Sequence, residues 1–405
     1  MNNVSSSNSQ KALVPELRFP EFTDGWKTDL IGNIGSFTKG GGLSKADITE
    51  NGTPFILYGE LYTTYGDVIY DIKRKTDKAV SEECYSKVGD VIIPTSGETP
   101  EEIATSACVM VPDVILAGDL NILRSNNIDG RFLSYLINHV ANRSIAKIAQ
   151  GKSVVHIQAK EISKIAINFP SSAEQLRIVN LLELLDAKIS KQEDLIESLK
   201  LYKRGLINQI FDNKLSLSKN SEWHKYQLSD ILKERKTYCE KDGTYEHATL
   251  SKEGVYGKTD QYNRDYLVSS DDKKYKITKL GDICYNPANL KFGVICLNTY
   301  GDAIFSPIYI TFEVNKNFNK EFIAFCLTRN DFINKALQYQ QGTVYERMAV
   351  SPEDLLSMSI NLPPRKIQDS LAKVILKIED MVSKTEMKLT ELKQMRAALL
   401  QKMFI

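Results

Sequence analysis

No run of 18 apolar residues occurs in the 405-residue sequence, so no membrane-spanning helix is expected. The opening MNNVSSSNSQ lacks the apolar stretch of a secretory signal, and residues 1–14 are expected to form a disordered tail. The six cysteines (Cys84, Cys108, Cys239, Cys284, Cys296, Cys326) show no CxxC spacing, which argues against a zinc site or a disulfide framework and for reduced thiols in a cytoplasm. The four histidines (His139, His156, His224, His247) are dispersed, and none has a neighbour at metal-ligand spacing. No metal site is expected. Excess charge is missing too: the net charge is +1. A nucleic-acid binder of this composition has to gather its cations on one face or share the work with partners.

Catalytic motifs come close and fail. Gly151-Lys152-Ser153 and Gly257-Lys258-Thr259 look like the end of a phosphate-binding loop, but the glycine required five residues earlier is Ala146 or Lys252. Gly40-Gly41-Gly42 is glycine-rich without G-x-G-x-x-G spacing. Asn286-Pro287-Ala288-Asn289 is close to the N/D-P-P-aromatic motif of amino-methyltransferases, yet its second proline and stacking aromatic are absent. No catalytic constellation remains.

What is present is a duplication. Asn168-Phe169-Pro170 returns 193 residues later as Asn361-Leu362-Pro363, and Gln175 as Gln368. Heptad seams follow. The first runs Ile178, Leu182, Leu185, Ile189, Gln192, Ile196, Leu199, Lys203, Leu206, Ile210. The second runs Leu371, Ile375, Ile378, Val382, Thr385, Leu389, Leu392, Arg396, Leu399, Met403. A polar residue interrupts both at the same two steps, Gln192 over Thr385 and Lys203 over Arg396. Looser echoes precede them: Lys87-Val88-Gly89-Asp90 with Lys279-Leu280-Gly281-Asp282, and Trp26, Ile31, Asn33 and Ile34 with Trp223, Leu228, Asp230 and Ile231.

Within each copy, Thr53–Leu57, Asp90–Pro94, Asp282–Asn286 and Pro307–Phe312 read as strands, and Phe132–Ile148 and Lys320–Tyr339 carry helical periodicity. The expected fold is therefore α+β: a globular module followed by a long helix of roughly 35–40 residues, twice. The boundaries are 15–170 for the first module, 171–212 for its helix, 213–363 for the second module and 364–405 for its helix. With internal two-fold symmetry, the helices pair as an antiparallel coiled coil. A helix of about 36 residues spans about 54 Å, longer than the ~34 Å between half-sites one turn of DNA apart. The helices would serve as a ruler and the modules as readers.

VPELRFPEFTDGW at the start, WxxxxLxDI at 223–231, YNPA and SPIYITF in the second half, and the helix entries NFP…EQLRIVNLL and NLPP…IQDSLAKVI resemble the specificity subunit of type I restriction-modification systems, a bacterial defence, and the order of parts is that family's. The second helix start departs from the first, with Ile367 where the first has Glu174. The resemblance implies two target-recognition domains that read the halves of a bipartite, asymmetric site in double-stranded DNA. It also implies two partner modification subunits, which carry S-adenosylmethionine and methylate adenine N6. Motor-nuclease restriction subunits would use ATP and Mg. This chain would hold no cofactor and no catalytic residue.

Contact candidates follow from chemistry and the repeat. In the first module they are Lys39, Gly41, Tyr58, Ser96, Lys152, Ser153 and His156; in the second, Tyr256, Lys258, Asn286, Ser306, Tyr309, Thr343, Tyr345 and Arg347. The basic stretches IKRKTDK (72–78) and KKYKITK (273–279) are further candidates for holding phosphate. Two other readings stay open at this point: a duplicated protein-binding scaffold without DNA reading, and a diverged methyltransferase.

Overall fold

The computed structural model describes residues 13–151, 154–211, 223–240, 243–258, 274–341 and 348–405. It mixes α-helices and β-sheets and ends in a long helix, Arg365–Met403. A second long helix, Ser172–Phe211, lies mid-chain. The chain divides into two compact units, Met1–Leu195 with Thr385–Ile405, and Ile196–Lys384.

In the first unit a five-stranded sheet runs in the order Gly35–Lys39, Leu120–Ser125, Asp90–Pro94, Ala107–Val109, Val68–Ile69. Asp90–Pro94 lacks the alternation of a half-exposed strand because it is buried throughout. Val91 and Ile93 belong to a core with Trp26, Leu123 and Phe132, and Ile92 to another with Ile56, Leu116 and Ile122. A strand covered on both faces reads as a continuous apolar run. A three-stranded sheet, Arg74–Thr76, Thr53–Leu57, Ile115–Ala117, and two strand pairs complete the β structure. The stretch expected to be helical around 132–148 is helical, with a π turn at Ile137–Ala141. Within that turn Asn138 accepts from the Ser106 N–H (2.7 Å) and donates to Asp67 (2.6 Å).

In the second unit a four-stranded sheet (Leu232–Glu234, Ile310–Val314, Ile283–Tyr285, Ile295–Leu297) and a five-stranded one (Tyr238–Cys239, Tyr275–Thr278, Ala303–Phe305, Glu246–Leu250, Val255–Gly257) are present. Two sequence expectations shift here. The strand expected at Pro307–Phe312 begins at Ile310, because Ser306–Tyr309 is a turn with Pro307 in its second position, closed by the Tyr309 N–H on the Ser306 carbonyl (3.1 Å). The helical run expected over Lys320–Tyr339 is two helices, Lys320–Leu327 and Asn330–Leu337. Arg329 is extended at the break (ψ 142), and its guanidinium lies 3.9 Å from the centroid of the Phe211 ring.

The same local constructions recur in both units. Asp90 accepts from the Lys87 N–H (2.8 Å) and from Arg124, and Asp282 from the Lys279 N–H (2.8 Å) and from Arg235. The glycine inside each turn has positive φ, Gly89 at 93° and Gly281 at 91°, which side chains resist. Gln175, buried, accepts from the Asp129 N–H (2.9 Å) and donates to the Pro170 carbonyl (2.9 Å). Gln368, also buried, accepts from the Asn319 N–H (3.0 Å) and donates to the Pro363 carbonyl (2.9 Å). Asp129 and Asn319 are each the N-cap of a module helix. A single buried carboxamide therefore ties the start of each long helix to the cap of a shorter one.

Each unit also closes over the end of a long helix. In the first, Phe404 stacks on Phe132 (centroids 5.2 Å) and meets Trp26 edge-on (6.4 Å). In the second, Phe211 stacks on Phe322 (5.7 Å) and meets Trp223 edge-on (5.9 Å). Among the seam positions, Leu182, Leu185, Ile196, Ile375 and Ile378 are buried, and Ile189, Leu199, Leu206, Val382, Leu389, Leu392 and Leu399 half-buried. Within the first unit Arg396 reaches Asp186, Lys393 reaches Glu193 (2.7 Å) and Gln192 donates to the Thr385 carbonyl (3.3 Å). Within the second, Lys203 pairs with Glu379.

Candidate nucleic-acid interface

In the first unit, residues from five separate segments converge at one end of the large sheet. Gly35–Lys39 pairs with Leu120–Ser125, which sets Lys39 opposite Asn121. Gly41 bridges to Ala117, and its carbonyl accepts from the Gly118 N–H (2.5 Å). A Cβ built on Gly41 would lie 2.8 Å from Val80 Cγ1, so the close approach at this point requires glycine. Ser96 is opposite His156 in a short antiparallel pair, and the Ser96 hydroxyl donates to Asp119 Oδ2 (2.7 Å). Lys39 and Tyr58 line a cleft of about 1070 Å³ with Lys45, Arg74, Glu98 and Asp119. The structure thus gathers Lys39, Gly41, Tyr58, Ser96 and His156 in one region. Sequence reasoning named Arg74 only within the basic stretch 72–78 and missed Lys45 and Asp119, which enter the cleft from a short helical turn and a loop that carry no motif.

The cleft is electrically balanced. Lys39, Lys45 and Arg74 face Glu60, Glu98 and Asp119. Glu60 is spent internally, accepting from the Leu57 N–H (3.1 Å) and from Arg74 (3.3 Å). Burial, with the nearby Tyr58 and glutamates adding to it, pushes the Tyr62 phenol up to about 12, so it stays a neutral donor at physiological pH. A balanced cleft of donors and acceptors suits the edges of base pairs better than a row of phosphates.

In the second unit, Tyr256 is opposite Thr249, whose hydroxyl lies 3.4 Å from that of Tyr309. Tyr309 meets the Phe305 ring at 5.3 Å and closes the turn that starts at Ser306. Lys258 follows directly, its N–H on the His247 carbonyl (2.7 Å). Tyr256, Ser306 and Tyr309 thus lie near Thr249, toward the end of Glu246–Leu250, whereas Lys258 lies toward its start, beside His247. Asn286 does other work: its side chain caps the helical turn Pro287–Phe292, accepting from the N–H groups of Ala288 (3.1 Å) and Asn289 (3.3 Å). Lys152, Ser153, Thr343, Tyr345 and Arg347 lie outside the described residues.

In the basic stretch at 273–279, Lys276 is not free to hold phosphate. Lys276 is 2% exposed, and its ammonium donates to Glu234 (2.9 Å) and faces the Tyr238 ring. In the stretch at 72–78, Arg74 pairs with Glu60 and Lys73 with Asp71. Val255–Gly257 is a strand of the sheet, unlike the strand-to-helix turn of a nucleotide-binding loop. Burial pushes the thiols of Cys284 and Cys296 up to about 11 and about 12, which keeps them protonated and poor nucleophiles. Among the described residues no group of three or more His, Cys, Asp or Glu is placed to hold a metal ion, and no helix is long and apolar enough to cross a membrane.

Residues 23–201 match the family model described as Type I restriction modification DNA specificity domain. This part of the chain is thus similar to the DNA specificity domain of type I restriction-modification systems. No curated protein matches the sequence. Among solved structures, the chain is similar to a type I restriction-modification system S subunit from M. genitalium, with 15% identity and a TM-score of 0.63 over 97% of this chain and 99% of that one. It is also similar to a chain from a structure on complex assembly and conformational transition of the type I R-M system, with 16% identity and a TM-score of 0.51 over 95% of this chain and 98% of that one.

Proposed function

We propose that this chain is the non-catalytic subunit that reads a bipartite, asymmetric DNA site for a type I restriction-modification complex. The observation that carries the reading is the recurrence of one anchoring device. Phe404 with Trp26 and Phe132, and Phe211 with Trp223 and Phe322, seat the ends of the two long helices in the two units in the same manner. The buried Gln175 and Gln368 repeat the correspondence at the helix starts. These pairs support a tandem duplication of a recognition module plus helix. The contacts of Arg396 with Asp186 and of Lys203 with Glu379 support an antiparallel coiled coil with pseudo-two-fold symmetry. On this reading each module reads one half-site, and the helices fix the unspecified gap and dock two methylating subunits. Those partners carry S-adenosylmethionine and methylate adenine N6, while restriction subunits supply ATP- and Mg-dependent translocation and cleavage. The complex works in the cytoplasm.

The test is to co-express the full chain with its modification partner and map methylated adenines in the host DNA. A two-part motif with a fixed gap is expected. Exchanging residues 25–150 for the corresponding part of another family member is expected to change one half-site alone. A motif without a gap, or a change in both half-sites, would overturn the two-reader reading.

A further inference from the structure

Asp119 has a place in the first unit's cleft that the reading so far does not use. It is solvent-exposed, yet fixed on three sides. Its carbonyl accepts from the Thr95 N–H (2.7 Å), its Oδ2 accepts from the Ser96 hydroxyl (2.7 Å), and the preceding Gly118 donates to the Gly41 carbonyl (2.5 Å). Gly118 has a φ of +72°, and a Cβ built there would stand 3.6 Å from the Tyr58 ring, so the loop lies directly against one of the reading candidates. Ser96, which orients the carboxylate, is 5% exposed and part of a strand pair. Although Lys39, Lys45 and Arg74 line the same cleft, no ion pair is formed with Asp119 among the described residues.

A rigid carboxylate on a DNA-facing surface repels phosphates. It also repels guanine N7 and O6 and thymine O4, which are acceptors. The base-edge groups it can accept from in the major groove are the exocyclic amines, N6 of adenine and N4 of cytosine. Resting on the reading proposed above, we propose that Asp119 is a specificity-determining residue of the first module. It accepts a hydrogen bond from an exocyclic amine through the oxygen that Ser96 leaves open, and it rejects guanine and thymine at that position. Ser96 is its positioning residue. Pre-orientation by a buried hydroxyl is what a discriminating acceptor requires, because an unfixed carboxylate turns toward the nearest cation instead.

The experiment uses the full chain in complex with its modification partner and duplexes carrying the mapped site. Each adenine of the site is replaced in turn by purine, and each cytosine by pyrimidin-2-one, both of which lack the amine. At one position the wild type is expected to bind about 10- to 100-fold more weakly. Purine sensitivity identifies adenine, and pyrimidinone sensitivity identifies cytosine. Asp119→Ala is expected to show no further loss on that duplex, and Ser96→Ala a smaller penalty there with an unchanged motif. Asp119→Asn, which keeps the shape and an acceptor for Ser96, is expected to accept a wider set of bases at that position alone. If the wild type ignores both analogues throughout, or Asp119→Asn discriminates as the wild type does, Asp119 only fastens its loop. If the wild type has no two-part site, the functional reading itself fails and this proposal falls with it.

Discussion

Arg396, near the end of the second long helix, donates from its guanidinium to both carboxylate oxygens of Asp186 in the first. The same guanidinium reaches Asp67 and lies 5.9 Å from the centroid of the Tyr135 ring, whose hydroxyl donates to Asp186 (2.8 Å). Burial alone would lower the Arg396 pKa, but Asp186 and Asp67 outweigh it and raise it. Arg396 occupies one of the two polar steps of its seam, and its charge is matched by acids from two directions. Replacing it with Met leaves two acids close together without their cation. Arg396→Met is expected to cost the first unit about 2–4 kcal/mol, somewhat below the cost of breaking a fully buried pair because Arg396 is 23% exposed. Urea denaturation followed by circular dichroism checks it, and a loss under 1 kcal/mol would mean that solvent already screens the cluster.

Asp67 gives this cluster a pH dependence. Burial pushes its carboxyl up, but hydrogen bonds from His139 and Asn138, together with the charge of Arg396, bring it below its ordinary value. A group whose folded pKa is lowered stabilises the fold above its unfolded value, about 3.9, and loses that contribution as the pH falls through the folded value. The melting temperature of the wild type is therefore expected to exceed that of Asp67→Asn at about pH 5, and the margin to shrink below about pH 4. A margin that grew toward low pH would contradict the pairing.

Phe404 tests how each unit depends on a helix end. The side chain is 5% exposed between Trp26 and Phe132, and truncation of a buried Phe typically costs about 3–5 kcal/mol. Phe404→Ala is expected to speed hydrogen exchange in Gly130–Leu136 and to leave Lys320–Leu327 unchanged. Phe211→Ala is expected to do the reverse. Equal effects of both variants on both segments would mean that the units do not open separately.

The ruler makes a prediction of its own. Four residues inserted between Leu185 and Ile196 add about 6 Å of helix. At ~3.4 Å per base pair, the gap between the half-sites is expected to lengthen by one or two pairs with the half-sites unchanged. Methylation mapping reads the result directly, and an unaltered gap would remove the helices from the role of spacer.

The long helices were legible because their information is local and periodic: the heptads run through 40 and 39 helical residues and are interrupted only by matched polar residues. Strands buried on both faces, such as Asp90–Pro94, were legible because a continuous apolar run is also local, though it has no period. Tertiary contacts were not. Apolar spacing continues across Thr328 and Arg329, so nothing nearby announces that Arg329 leaves the helix to cover Phe211. Lys276 belongs to a basic run, but its buried ammonium answers to Glu234, 42 residues away. Asn286 had the right chemistry for reading bases, and its capping hydrogen bonds use that chemistry on its own backbone. Lys39 and Tyr58, named by residue type, line the cleft, while Asp119 carries no local signal because Ser96, which holds it, is 23 residues away.

The seat of Phe404 also bears on how the chain is made. The core around Trp26 and Phe132 includes Leu400, Met403 and Phe404, which are translated after the whole of Ile196–Lys384. On the ribosome the first unit therefore waits, its aromatic pocket open, while Ile196–Lys384 can already close on Phe211. A chain that stops before Phe404 leaves that pocket exposed, so truncated products are marked for aggregation or degradation before they can compete for partners.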